Sequence, residues 1–189
     1  MSIILASASP RRRELLEMMG LEFEIIPAKD ELDADGLSPA EAVAKIALGK
    51  ALSVARDRNE DDLVIAADTL VCLDGELLGK PKDENEAYAM LKKLSGNEHS
   101  VYTGIAVSCG GRSASGAEMT KVRFCEMTDD DIKGYIATNE PMDKAGAYGI
   151  QGKGAVFIEG IEGDYFNVMG LPLHRLSLML KDFGFSLLI

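Results

Sequence analysis

The chain has 189 residues, a net charge of −11 and 47% apolar residues, with a mean hydropathy of +0.02. That length supports one α/β domain with its own core, no apolar run reaches the roughly 18 residues of a membrane span, and the acidic balance disfavours a nucleic-acid polymer as partner. Three scattered cysteines and two histidines argue against a disulfide framework and a zinc site, and they fit a reducing, cytoplasmic setting. The first residues also lack the charged-then-apolar order of a secretory leader.

Ile3-Ile4-Leu5-Ala6 predicts a buried strand, and Pro10 to Met19 predicts a helix closed by Gly20. Ser9 suits the N-cap and Pro10 the first helical position. Arg11, Arg12 and Arg13 then stand where the helix dipole favours acids. A bound polyanion would compensate, because helix N-termini and arginine forks both suit phosphate; a solvated basic turn is the alternative. Phe23 to Ile26 alternates as a second strand. Asp30, Glu31, Asp33 and Asp35 follow as an acidic loop, which reads either as solvated or as an oxygen-rich site for Mg²⁺.

Ser38-Pro39-Ala40-Glu41 is a capping box opening a helix to about Ala55. Its expected inner face is Ala42, Ile46, Gly49 and Leu52–Ser53, and it carries Lys45 and Lys50. Leu63 to Leu73 is the most apolar segment and reads as a central strand with Asp68 in its middle. A lone carboxylate there costs several kcal/mol unless paired, bound to metal or facing a cleft. Alternation sends Asp68 and Thr69 to opposite faces. Asp74-Gly75 signals a hairpin, and Lys80 sits on a stiff turn between Gly79 and Pro81.

Asp83 caps a helix with Ala87, Met90, Leu91 and Leu94 inward. His99 to Ser108 predicts a strand turned by Gly110-Gly111, with Lys121 to Met127 as its partner. His99 reads as a hydrogen-bonded strand-end residue. Thr128 caps a helix with Ile132, Tyr135 and Ile136 inward, and its three aspartates suit the helix dipole. Residues 140–154 form a glycine-rich loop in which Gln151 carries donors and an acceptor suited to a base edge. Ala155 to Ile161 predicts a strand, and a last helix follows Gly170-Leu171-Pro172. The cations gathered at Arg11, Arg12, Arg13, Lys50 and Lys80 on an acidic body suit a small anionic ligand. The P-loop pattern GxxxxGK[ST] is absent from the sequence.

LASASPRRRELL, AADTLV around Asp68, GKP at 79–81, SGNEHSVYTG at 95–104 and PMDKAGAYGIQGKGAVFIEGIEGDYFNVMGLPL together resemble the Maf proteins. These are nucleoside triphosphate pyrophosphatases historically linked to septum formation. The resemblance covers nearly the whole chain, 1–189, as a single domain. It implies an α/β fold with a central mixed, elongated β-sheet flanked by helices, of the Maf/inosine-triphosphatase kind. It also implies hydrolysis of a nucleoside triphosphate to monophosphate and pyrophosphate with a divalent cation, Mg²⁺ or Mn²⁺. The family's proton acceptor falls on Asp68, and its substrate-selecting positions fall on Arg11, Thr69 and Gln151. Its other pocket residues fall on Ser7, Arg12, Glu31, Lys50 and Lys80. Glu31, with Asp68, is the expected metal-holding pair. Arg13 lies where the family varies and takes no role. The AGAYGIQG run resembles the branch acting on dTTP and UTP rather than the branch acting on 7-methylguanosine triphosphate. The resemblance suggests a homodimer. A nucleotide-binding regulator of cell division with incidental hydrolysis would use the same pocket.

Overall fold

The computed structural model describes residues 2–29 and 34–188; Asp30, Glu31 and Asp33 lie outside the described residues. In chain order the elements are β1 (Ile3–Leu5), α1 (Pro10–Met18), β2 (Glu24–Ile25), α2 (Pro39–Ala55), β3 (Leu63–Leu73), β4 (Glu76–Leu78) and α3 (Glu84–Leu94). Then come β5 (Glu98–Cys109), β6 (Arg112–Phe124), α4 (Asp129–Ile136), three 3-10 turns at Glu140–Asp143, Ala145–Ala147 and Lys153–Phe157, β7 (Ile158–Glu162), α5 (Tyr165–Met169) and α6 (Leu173–Asp182). The strands form one mixed sheet in the order β2-β1-β3-β5-β6-β7, with β4 against β3. β1 is parallel to both β2 and β3, whereas β3–β4 and β6–β7 are antiparallel. Among the described residues no helix is long and apolar enough to cross a membrane.

The chain divides into two compact units. The first comprises Met1–Asp68, Thr103–Glu118 and Gly170–Ile189. One of its cores joins Ile4 and Ala6 of the first segment to Ala47, Ala51 and Val54 on α2, Val64 and Ala66 on β3, and Ala106 on β5. The Ser38 hydroxyl accepts from the Glu41 N–H while the Glu41 carboxylate accepts from the Ser38 N–H, so the start of α2 is fixed as the sequence indicates.

The buried face of α2 differs from the expected one. It carries Ala42, Val43, Ala47, Ala51 and Val54, while Leu52 is 38% exposed. The reason is close approach of backbones. A Cβ on Gly104 of β5 would stand 2.1 Å from the Val43 carbonyl oxygen, so the helix lies against the strand where side chains are smallest. Side-chain bulk, which favours Leu52, does not decide this face.

The second unit comprises Thr69–Tyr102 and Met119–Met169. Its core gathers Val71 and Leu73 of β3, Ala87, Met90, Leu91 and Leu94 of α3, Phe124 of β6, and Ile132, Tyr135 and Ile136 of α4. The α3 and α4 stripes match the helical periodicity read from the sequence. Asp74 and Gly75 both adopt positive φ, 50° and 85°, as a tight two-residue hairpin requires. His99 is buried on β5 and shares a 2.7 Å hydrogen bond between Nε2 and the Tyr148 hydroxyl. Its ring stands edge-on to Phe124 and Tyr148. Burial lowers the imidazole to about 4, so it is a neutral core residue at pH 7.

Two further expectations shift. β6 starts at Arg112, directly after the Gly110-Gly111 turn, and ends at Phe124. Its first half, Ser113-Ala114-Ser115-Gly116-Ala117, is too small and mixed to show alternation. β7 begins at Ile158 rather than Ala155, because residues 153–157 coil into a 3-10 turn.

Replacing Gly104 with alanine should force α2 off β5. We expect a loss of about 3 kcal/mol or more in urea unfolding, at the upper end of overpacking costs; an unchanged midpoint would contradict the close-packed face.

Candidate active site

The site in the first unit begins where β1 ends, beside the middle of the longer parallel strand β3. β1 and β3 pair through Leu5↔Ile65, and the Ala6 N–H donates to the Ile65 carbonyl at 2.8 Å. Ser7 and Asp68 follow just beyond that pairing. Open α/β sheets bind ligands at this end, where side chains leave the strand order facing solvent.

The chain then turns through Ser9 into α1 with Pro10 at its first position and no acidic residue in the first turn. Ser9 supplies the extended N-cap backbone but no side-chain cap bond. Arg12 folds back across this turn. Its Nε donates to the Gly170 carbonyl at 2.8 Å, and its Nη1 donates to the Ser7 hydroxyl at 2.9 Å. Ser7 is 8% exposed and also accepts from the Ser9 N–H. Burial lowers the Arg12 guanidinium to about 10; the charge of Asp68 acts in the opposite direction and Arg11 adds to the lowering. Arg13 instead points away and pairs with Glu17 one turn on, 2.7 Å apart. That exposed pair belongs to the helix surface and contributes little.

Lys50 completes the group. It lies in the last two turns of α2, and its Nζ sits 2.6 Å from Asp68 Oδ1 with both side chains largely covered, 25% and 18% exposed. The mid-strand carboxylate is therefore compensated by a cation, one of the outcomes its position requires. The unit thus assembles Ser7, Arg11, Arg12, Lys50 and Asp68 from three separate stretches of sequence. Cations and a carboxylate held close, beside a helix N-terminus, can bind phosphate oxygens and take up a proton.

Thr69, Lys80 and Gln151 belong to the second unit. Thr69 is half-buried on β3, next in the chain after Asp68. Lys80 is exposed just after β4. Its turn is tied to the glycine-rich segment by a 3.0 Å bond from the Gly146 N–H to the Gly79 carbonyl. Gln151 is exposed within that segment. Glu31 lies outside the described residues.

Sequence alone reads residues 140–154 as a loop made of glycine and misses what organises it. Glu140 accepts from the Tyr135 hydroxyl, the Lys153 N–H and the Gly154 N–H. The available signal is an acid heading a glycine-rich run.

A family profile described as Maf-like protein matches residues 2–183. The chain belongs to the Maf family. It is 51% identical over 187 residues to a dTTP/UTP pyrophosphatase of Carboxydothermus hydrogenoformans, covering 98% of this chain and 100% of that protein. It is 49% identical over 183 residues to a dTTP/UTP pyrophosphatase of Bacillus cereus, covering 96% and 95%. Among solved structures, the Staphylococcus aureus Ham1 protein superposes with a TM-score of 0.55 at 15% identity, over 97% of this chain and 100% of that one. A HAM1 protein from Coxiella burnetii gives 0.53 at 16% identity, over 96% and 99%. These two likenesses establish a shared fold.

The donor set of the Maf chain bears on a divalent cation. Among the described residues no three His, Cys, Asp or Glu side chains gather into a metal cluster. Asp68 offers a single carboxylate beside cations. With its Oδ1 bonded by Lys50, it supplies at most one ligand, so a hard divalent cation here would take most of its shell from substrate phosphates and water.

Arg12→Lys tests the fold-back of α1. An ammonium has no planar fork to span both the Gly170 carbonyl and Ser7. We expect a loss of about 2 kcal/mol in urea unfolding, the scale of a hydrogen bond to a charged group; wild-type stability would contradict the bracing role.

Proposed function

We propose that residues 1–189 work as one nucleotide pyrophosphatase domain that hydrolyses dTTP and UTP to the monophosphate and pyrophosphate. The observation that carries this reading is the assembly around Asp68, in which Lys50 bonds the carboxylate and Arg12 lies within its field. The names of relatives about half identical to this chain over nearly its full length support the choice of nucleotide.

A nucleoside triphosphate brings about four negative charges, which need several cations to leave water. Arg11, Arg12, Lys50, Lys80 and the N–H groups at the start of α1 supply them. The Ser7 hydroxyl, already fixed by Arg12, donates to a phosphate oxygen. Asp68 orients a water molecule toward the α-phosphorus and accepts its proton. The oxygen of that water bonds to the α-phosphorus as the bond to the bridging oxygen breaks, and pyrophosphate leaves with the electron pair. A divalent cation, which Asp68 and Glu31 would hold, would supply charge neutralisation on the phosphates. Thr69 and Gln151 read the base. A cytoplasmic, reducing setting suits the free thiols Cys72, Cys109 and Cys125.

Asp68→Asn keeps the shape and removes the proton acceptor. We expect turnover of dTTP to fall by about 10²–10⁴-fold, the usual scale of general-base loss, while calorimetry still detects dTTP binding. Near-normal pyrophosphate release by the variant would remove Asp68 from the reaction.

A further inference from the structure

Gln151 lies in a stretch with glycine at 149, 152 and 154. Such a backbone has many conformations to lose, so something outside it must fix its course. Two side chains do so. The Tyr135 hydroxyl accepts from the Gly149 N–H at 3.2 Å and donates to Glu140 Oε1 at 2.9 Å. Glu140 Oε1 also accepts from the Gly154 N–H at 3.1 Å, and its Oε2 accepts from the Lys153 N–H at 2.9 Å. One bonded pair therefore holds backbone amides on both sides of Gln151.

The surrounding space is fitted to the same pair. Gly152 has φ +101°, and a Cβ there would lie 2.8 Å from Glu140 Oε2. A Cβ on Gly149 would lie 2.8 Å from Cε of Lys144, whose Nζ donates to the Glu140 carbonyl at 2.6 Å. The Tyr135 ring packs edge-on to Phe157, centroids 5.4 Å apart. Burial by itself would raise the Glu140 carboxyl, but the bonds from Lys153, Gly154 and Tyr135 outweigh it and hold the group below the usual range. The clamp is thus charged at neutral pH, and Gln151 stays exposed at its apex.

We propose that Tyr135 and Glu140 are positioning residues for base selection, fixing the Gln151 peptide so that its amide meets the pyrimidine edge along one approach. This rests on the reading that Gln151 reads the base. Thymine and uracil present an acceptor at O4 and a donor at N3, and cytosine presents the reverse pair. A carboxamide offers both a donor and an acceptor and matches either base when turned over. That turn needs no movement of the backbone, so the clamp acts by fixing where the amide stands against the base edge, and a loosened segment lets either pairing form.

The test measures kcat and KM for dTTP, UTP and dCTP in the wild type, Tyr135→Phe, Glu140→Gln, Gln151→Ala and the Tyr135→Phe/Gln151→Ala double variant, with thermal melting of each. Tyr135→Phe keeps the ring against Phe157 and serves as the deciding variant if Glu140→Gln fails to fold. We expect the kcat/KM preference for dTTP over dCTP to fall about 10-fold or more in each single variant. In Tyr135→Phe and Glu140→Gln the fall should come through KM more than kcat, and the double variant should lose nothing beyond Gln151→Ala alone. A fall in Gln151→Ala with the preference intact in folded Tyr135→Phe overturns the clamp and leaves the function standing. An equal fall for all three nucleotides marks a purely structural role and also overturns it. An intact preference in Gln151→Ala overturns the base-reading role and the clamp together.

Discussion

An arginine in the first turn of a helix and an aspartate in the middle of an apolar strand are each unfavourable alone, the first against the helix dipole and the second against desolvation. In the first unit these features meet. Asp68 lies close enough to Arg12 to act on its charge, and Lys50 bonds Asp68 directly. The rest of that unit makes the meeting possible. The parallel pairing of β1 and β3 ends at Leu5↔Ile65, so Ser7 beyond β1 and Asp68 within β3 follow the same paired edge. The small inner face of α2 lets the helix lie close over Gly104, which sets where Lys50 emerges. In the proposed reaction the triphosphate competes for these cations, so ion pairs of the free protein become contacts to phosphate.

The second unit solves a different problem. Its apolar core is held by α3, α4 and the buried His99–Tyr148 pair, none of which calls for a ligand. The segment 140–157 joins that core through Ala147, Tyr148 and Phe157, while Lys80 stays exposed on its turn. Segment and turn are also held by hydrogen bonds, through the Gly79 carbonyl, Glu140 and the Tyr135 hydroxyl. These bonds and the buried run 146–150 give the segment a defined path that emerges at the exposed Gln151.

Local chemistry makes much of the fold legible. Pro10 after Ser9, the Ser38–Glu41 and Thr128–Asp131 capping boxes and the Asp74-Gly75 turn each specify their element within a few residues, and each occurs where the sequence places it. The α3 stripe is equally plain because its inward residues are large. What escapes are features set by distant partners. The face of α2 is chosen by a glycine on β5, some sixty residues away. The first half of β6 is a strand because the Gly110-Gly111 turn folds it beside β5, not because of its own composition. Asp68 stands out as a candidate since a charge in an apolar strand violates a local rule, and Arg12 for the same reason. Glu140 violates none, and only the backbone amides that converge on it disclose its role. The relation of Arg12 to Gly170 likewise spans 158 positions in sequence and has no local signature.

In the proposed reaction Asp68 delivers water to the α-phosphorus rather than to another phosphorus of the triphosphate. Hydrolysis of dTTP in water labelled with heavy oxygen, followed by phosphorus NMR, tests it directly. Attack at the α-phosphorus puts label in dTMP and none in pyrophosphate. Label in pyrophosphate, or release of orthophosphate with dTDP, would contradict it.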